Sequence, residues 1–182
     1  MTKEQPFVTY LESLRENRAA LAALRRGLGQ PPGAVREMYP YVAPWVPEGT
    51  PRYLEEAYYL LACLFAYHPT SGGSGNLGEA FRRSPQRGED TAATERRFAA
   101  LLAAHPEDLP FYLRQAVSFL KSREVPVDWG QLLSDLLAWG APDGFVQKRW
   151  ARSFWSRPVQ PDEAKPDGAD SGEASPDTDE ED

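Results

Sequence analysis

The chain has 182 residues, 41% of them hydrophobic, and a single cysteine, which suits one substantial core or two small lobes, excludes several independent domains and rules out an intramolecular disulfide. No uninterrupted apolar run approaches the ~20 residues that cross a bilayer, and the opening Met1-Thr-Lys-Glu-Gln-Pro-Phe lacks the pattern of an export signal, so a cytoplasmic protein with no membrane partner is expected. The formal charge of −7 is unevenly placed: residues 158–182 carry ten acids and one lysine, leaving 19 Lys or Arg against 17 Asp or Glu in 1–157, so the acidic pI does not exclude a polyanionic partner.

Helical spacing dominates, and no long stretch alternates as a half-buried strand would, which predicts an all-α fold. A first helix is expected from about Pro6 to Leu28, with Leu14, Leu21, Leu24 and Leu28 within roughly 80° of arc as its core stripe. Pro31, Pro32, Pro40, Pro44 and Pro47 then leave room only for a short helix around Ala34 to Met38. Thr50-Pro51 reads as a cap with proline at the first helical position, starting a long helix to about His68 that is apolar nearly all round and therefore central. The glycine and serine of 69–75 predict a flexible loop and a lobe boundary, followed by an Asn76/Glu79 capping box for a short helix to Arg83. Further helices are expected at Thr91 to Ala104, Pro106 to Lys121, from the Asp128/Gln131 cap to Gly140, and from Asp143 to about Trp155. Residues 1–157 thus read as a compact, bilobed helical bundle, and 158–182 as a disordered acidic tail.

Catalytic and cofactor motifs are missing, and neither an enzyme, a metal site nor a cofactor is expected. The loop Gly72-Gly-Ser-Gly-Asn-Leu-Gly78 has no preceding strand and no Gly-Lys-Ser/Thr ending, so a mobile connection explains it better than a phosphate cradle. His68 and His105 each precede a proline with no ligand grouping nearby, which points to capping or surface positions. Cys63 sits in an apolar helix whose surroundings disfavour the thiolate. Trp129, Trp139 and Trp150 fall at core spacing, while Trp155 is placed to be exposed.

Arginine is the feature that remains. Arg15, Arg18, Arg25 and Arg26 fall within about 100° of arc beside the leucine stripe. Arg82, Arg83, Arg87, Arg96 and Arg97 follow the glycine loop, Arg114, Lys121 and Arg123 recur on and after the next helix, and Lys148, Arg149 and Arg152 oppose Val146, Trp150 and Phe154 on the last. Only three of the 19 cations in 1–157 are lysine, and the arginine fork suits bidentate contact with phosphate. Acids such as Glu12, Glu16 and Glu95 could neutralise part of these faces. Spacing alone leaves two partners open, nucleic acid and the acidic surface of another protein, the latter making the chain a helical adaptor.

The ordered set Ala23-Leu-Arg-Arg-Gly27, Asn76-Leu-Gly-Glu-Ala80, Glu95-Arg-Arg-Phe98, Tyr112-Leu-Arg114, Leu120-Lys121, Val125-Pro-Val-Asp-Trp129 and Val146-Gln-Lys-Arg-Trp150 resembles the CasB family, the small subunit of the type I-E CRISPR Cascade complex, over roughly residues 5 to 157. The resemblance implies a non-catalytic, all-α subunit present as a head-to-tail pair of copies. Its implied partners are a CRISPR RNA, the target and displaced DNA strands, and the backbone and large subunits. It implies that the guide RNA–target DNA hybrid and the displaced strand are stabilised through backbone contacts in antiviral defence. Arg25 and Arg26, Arg96 and Arg97, and Arg114 match basic positions of the family, with Lys148, Arg149 and Arg152 matching less tightly. The acidic tail is a departure from the common domain.

Overall fold

The computed structural model describes residues 4–85 and 91–156. Among them the chain forms nine α-helices and no strand: α1 (Glu4–Ser13), α2 (Arg18–Arg25), α3 (Tyr39–Val42), α4 (Arg52–Tyr67), α5 (Leu77–Arg83), α6 (Thr91–Leu102), α7 (Leu109–Ser122), α8 (Trp129–Leu137) and α9 (Phe145–Phe154). The all-α expectation is borne out. Residues 158–182 and Arg87 lie outside the described residues.

The centre is α4. Every residue from Ala57 to Ala66 is buried, because α2, α3, α7 and α8 all pack against it. Phe65 meets Trp129 of α8 edge to face at 5.8 Å, and Trp139 packs on Trp150 of α9 at 5.0 Å. The tryptophans expected in the core are there, and one connected hydrophobic cluster runs from Phe7 to Trp150. The 69–75 stretch is seated against this body: a Cβ on Gly73 would stand 2.1 Å from the carbonyl carbon of Val127, so only glycine allows that approach.

Several element boundaries differ from the sequence reading. The first helix is two. Asn17 Oδ1 accepts the Ala20 N–H at 3.1 Å and caps α2, while Leu14 and Arg15 close the end of α1 in turns onto Leu11 and Glu12. The side-chain acceptor of Asn17 offers the backbone an alternative to a continuing helix, and the chain takes it. The proline segment holds more helix than expected: 3₁₀ turns at Arg36–Met38 and Ala43–Trp45 flank α3. Pro40 and Pro44 fall in first turns, where no N–H is needed.

Pro51 is the N-cap of α4 rather than its first residue, and Thr50 Oγ1 donates instead to Pro47 O at 2.6 Å. The start expected at Pro106 is displaced to Leu109, with Pro110 in the first turn; two prolines compete for that position and the second takes it. The last helix begins after Gly144, which adopts a left-handed φ of 59°. The caps at Asn76 and Asp128 form as expected, accepting the N–H groups of Glu79 and Gln131 at 3.2 and 2.9 Å.

Of the two positions expected for His68, capping and surface, it takes the first: it is the C-cap of α4, with its backbone N–H on Leu64 O and Phe65 O. It is buried, and Nε2 lies 2.8 Å from Val125 O while Nδ1 faces Thr70 Oγ1 at 3.3 Å. Nε2 therefore carries the proton, and the ring ties the end of α4 to the segment before α8.

Candidate nucleic-acid interface

The expected cations fall into separate groups. Arg114, Ser118 and Lys121 follow one another at helical spacing along α7, and Arg114 and Ser118 border a groove of about 290 Å³ with Leu28 and Tyr67. Lys121 Nζ donates to Tyr67 O at 2.8 Å and lies 4.0 Å from that ring's centroid. Arg114 approaches Gly29, where a Cβ would stand 2.7 Å from Nη1, so the end of the α2 segment and the α7 cations share one edge.

A second group lies around Phe119, on another sector of α7. Arg97 Cζ of α6 is 5.1 Å from the Phe119 ring centroid, and Arg123 Cζ is 5.3 Å from it, so two guanidinium groups from different elements hold one ring. Phe81, Phe98, Phe154 and Trp155 continue this aromatic cluster. Trp155 remains 48% exposed, in line with its expected placement. Arg96 is exposed on α6.

On α2, Arg18 and Arg25 are exposed, and Arg25 Nε donates to Leu21 O at 3.1 Å. The continuous arginine arc expected there does not form, because the break at Asn17 turns Arg15 away and its Nε donates to Pro69 O at 2.6 Å. Arg26 pairs with Glu37 at 2.7 Å. A backbone hydrogen bond and then Arg26 hold that carboxyl below its usual range.

The face expected on α9 is thinner than its sequence suggests. Lys148 and Arg152 are exposed, but Arg149 is bound to Asp135, whose carboxylate is fully buried. Asp135 also accepts Trp150 Nε1 at 2.6 Å and Gln131 Nε2 at 2.8 Å. Burial raises the Asp135 carboxyl above its ordinary range, and the Trp150, Gln131 and Arg149 donors oppose that rise. Arg149 therefore works first as the counter-charge of a buried acid.

Two features escaped the sequence reading. One is a cleft of about 360 Å³ between the Gly27–Gly33 turn, α4 and α7, with Phe111 half exposed at its edge; no local pattern marks a cleft made by three distant segments. The other is the long-range contact of Arg82, whose Nη1 donates to Ser156 Oγ at the end of α9. Cys63 faces the 360 Å³ cleft, and burial pushes its thiol up to about 12. Among the described residues no three His, Cys, Asp or Glu side chains group to hold a metal, and no helix is long and apolar enough to cross a membrane.

Residues 20–155 match the sequence profile of the CRISPR-associated protein Cse2 family. The chain belongs to the Cse2 family. It is 37% identical over 170 residues to CRISPR-associated protein Cse2 of Thermus thermophilus, covering 91% of this chain and 97% of that one. The crystal structure of CasB from Thermus thermophilus superposes with a TM-score of 0.75 at 36% identity, over 86% of this chain and all of that chain. A chain of a CRISPR RNA-guided surveillance complex superposes with a TM-score of 0.74 at 30% identity, over 84% of this chain and 91% of that one. The CasB resemblance is thus borne out across the whole Cse2-family body.

Proposed function

We propose that this Cse2-family chain is the small, non-catalytic subunit of a type I-E CRISPR Cascade complex. It lies beside the backbone and large subunits and a second copy of itself, and stabilises the guide RNA–target DNA hybrid and the displaced strand. The observation that carries the reading is the likeness, across 84% of the chain, to a subunit of a CRISPR RNA-guided surveillance complex. The cations give it a mechanism. Exchange of a DNA duplex for an RNA–DNA hybrid is nearly balanced, so contacts to phosphate that read no sequence can tip it. Arg114 and Lys121 on one sector of α7, Arg97 and Arg123 about Phe119, Arg96 exposed on α6, and Arg18, Arg25 and Arg26 on the α2 segment supply such contacts, with Lys148 and Arg152 on α9. Arg149 contributes mainly by fixing α9 to α8.

The test is a titration of the full chain with single- and double-stranded nucleic acid across a series of salt concentrations. Affinity should fall steeply with salt and vary little with sequence. Arg114→Ala with Lys121→Ala should lower the slope of log affinity against log salt by about 0.7 to 0.9 for each phosphate no longer neutralised. Binding that is absent, or flat in salt, would assign these faces to an acidic protein surface and favour an adaptor.

A further inference from the structure

The end of α9 lies among cations. Lys148 and Arg152 are exposed and recur at four-residue spacing on α9, and Ser156, the last described residue, continues the row just past the helix end. Ser156 Oγ accepts Arg82 Nη1 from α5, and Arg83 is exposed beside it. This row has a rigid backing. α5 and α9 meet so closely that a Cβ on Gly78 would stand 2.1 Å from Trp150 O, and Asn76 Nδ2 donates to Ser153 Oγ at 2.8 Å. Arg149, the remaining cation of α9, is satisfied by Asp135. Among the described residues Lys148, Arg152, Arg82 and Arg83 form no ion pair, and their hydrogen bonds go to a serine hydroxyl and to the Ser74 carbonyl.

Directly beyond this row the sequence turns acidic, with ten Asp or Glu and one Lys in residues 158–182. We propose that the acidic segment 158–182 docks on the Lys148–Arg152–Arg82–Arg83 row of its own chain, so that phosphate must displace it to reach that face. Charge complementarity and attachment both select this occupant. A tether of 25 residues has a root-mean-square reach of about 25 to 30 Å, which keeps its carboxylates at about millimolar effective concentration over a row that begins at its root. The segment of a second molecule would need that concentration in bulk to compete. The attraction is between exposed charges, so salt weakens it as the Debye length falls from about 10 Å at 0.1 M to about 3 Å at 1 M. That docking has consequences for nucleic acid rests on the function proposed above; the docking itself does not.

The experiment uses the full chain with Ser175→Cys carrying a nitroxide. Cys63 is buried with its thiol pushed up to about 12, so the label goes to the tail. Broadening of the Arg82, Arg83, Lys148 and Arg152 amides is compared with that in a chain whose ten tail acids are replaced by Asn and Gln, which keeps the tether and removes the charge. At ~50 mM salt the acidic chain should show several-fold greater broadening at these four positions, and near ~1 M salt the two chains should converge. Equal broadening in both chains at low salt overturns the proposal. A parallel titration with a short single strand separates the two ideas, since the neutralised chain should bind several-fold tighter at low salt only. If neither chain binds nucleic acid, the function proposed for the face fails while the broadening still decides the docking.

Discussion

Asp135→Ala tests the most tightly specified interaction in the molecule. The substitution removes an acceptor used by Trp150 Nε1, Gln131 Nε2 and Arg149 at a position with no solvent exposure. Trp150 is itself fully buried, so its indole N–H is left without a partner and without water, at a cost of about 1 to 3 kcal/mol. The Arg149 side chain is 43% exposed and rehydrates, so losing its pair adds only about 0 to 1 kcal/mol. The sum is a destabilisation of about 1 to 4 kcal/mol, read as a lower urea midpoint at unchanged slope by circular dichroism.

Asp135→Asn keeps an acceptor for Trp150 but points amide hydrogens at the remaining donors, and should cost about 1 to 2 kcal/mol. The pH dependence has a definite sign. Burial raises the folded-state pKa of Asp135 above its ordinary value of 3.8, so the folded protein holds this proton more tightly than the unfolded chain does. Stability from this group is full below the unfolded pKa and is lost as pH rises through the folded one. The stability difference between wild type and Asp135→Asn should therefore decline across that window and flatten above it. An Asp135→Ala protein within about 0.5 kcal/mol of wild type would refute the claim that this carboxylate clamps α8 to α9.

Trp129 and Trp150 separate packing from hydrogen bonding: Trp129 Nε1 has no protein partner among the described residues whereas Trp150 Nε1 donates to Asp135. Trp129→Phe should therefore unfold at higher urea than Trp150→Phe, and the reverse order would contradict the structure; Trp129→Ala should cost about 3 to 5 kcal/mol. Gly78→Ala places a methyl 2.1 Å from Trp150 O and should destabilise by about 1 to 3 kcal/mol through separation of α5 from α9, measured by thermal melting. Cys63, buried with its thiol pushed up to about 12, should resist alkylation in the folded protein near pH 8 and react fully in denaturant; rapid native labelling would show that the Cys63 side of the cleft opens.

Local signals were legible where the deciding partner is close in sequence. Asp128 and Asn76 cap the N–H three residues on, and the apolar run of α4 announces its burial without reference to anything else. The break at Asn17 was obscured because Leu14, Leu21, Leu24 and Leu28 keep helical spacing across it; Leu21 and Leu24 are buried, while the outer two pack at the edge of the core. His68 does cap the end of α4, but its burial was not legible, since its ring partner Val125 lies 57 residues away. The same holds for the site. Lys148, Arg149 and Arg152 look equivalent in sequence, and only Asp135, brought in by the packing of α8, removes Arg149 from the unpaired set. Arg82 was read as one of a string and is joined to the end of α9 through Ser156.

The all-round burial of α4 also bears on how the protein is made. Ala57 to Ala66 are covered partly by α7 and α8, which are translated later, and Leu136 follows Ala66 by 70 positions. At about 5 to 20 residues per second, this apolar helix waits roughly 4 to 14 s for its last cover. During that interval it presents a hydrophobic rod with no polar side, the form of nascent chain that aggregates or recruits chaperones. Substitutions that slow the docking of α8, Asp135→Ala among them, should therefore lower soluble yield in cells by more than their effect on equilibrium stability alone.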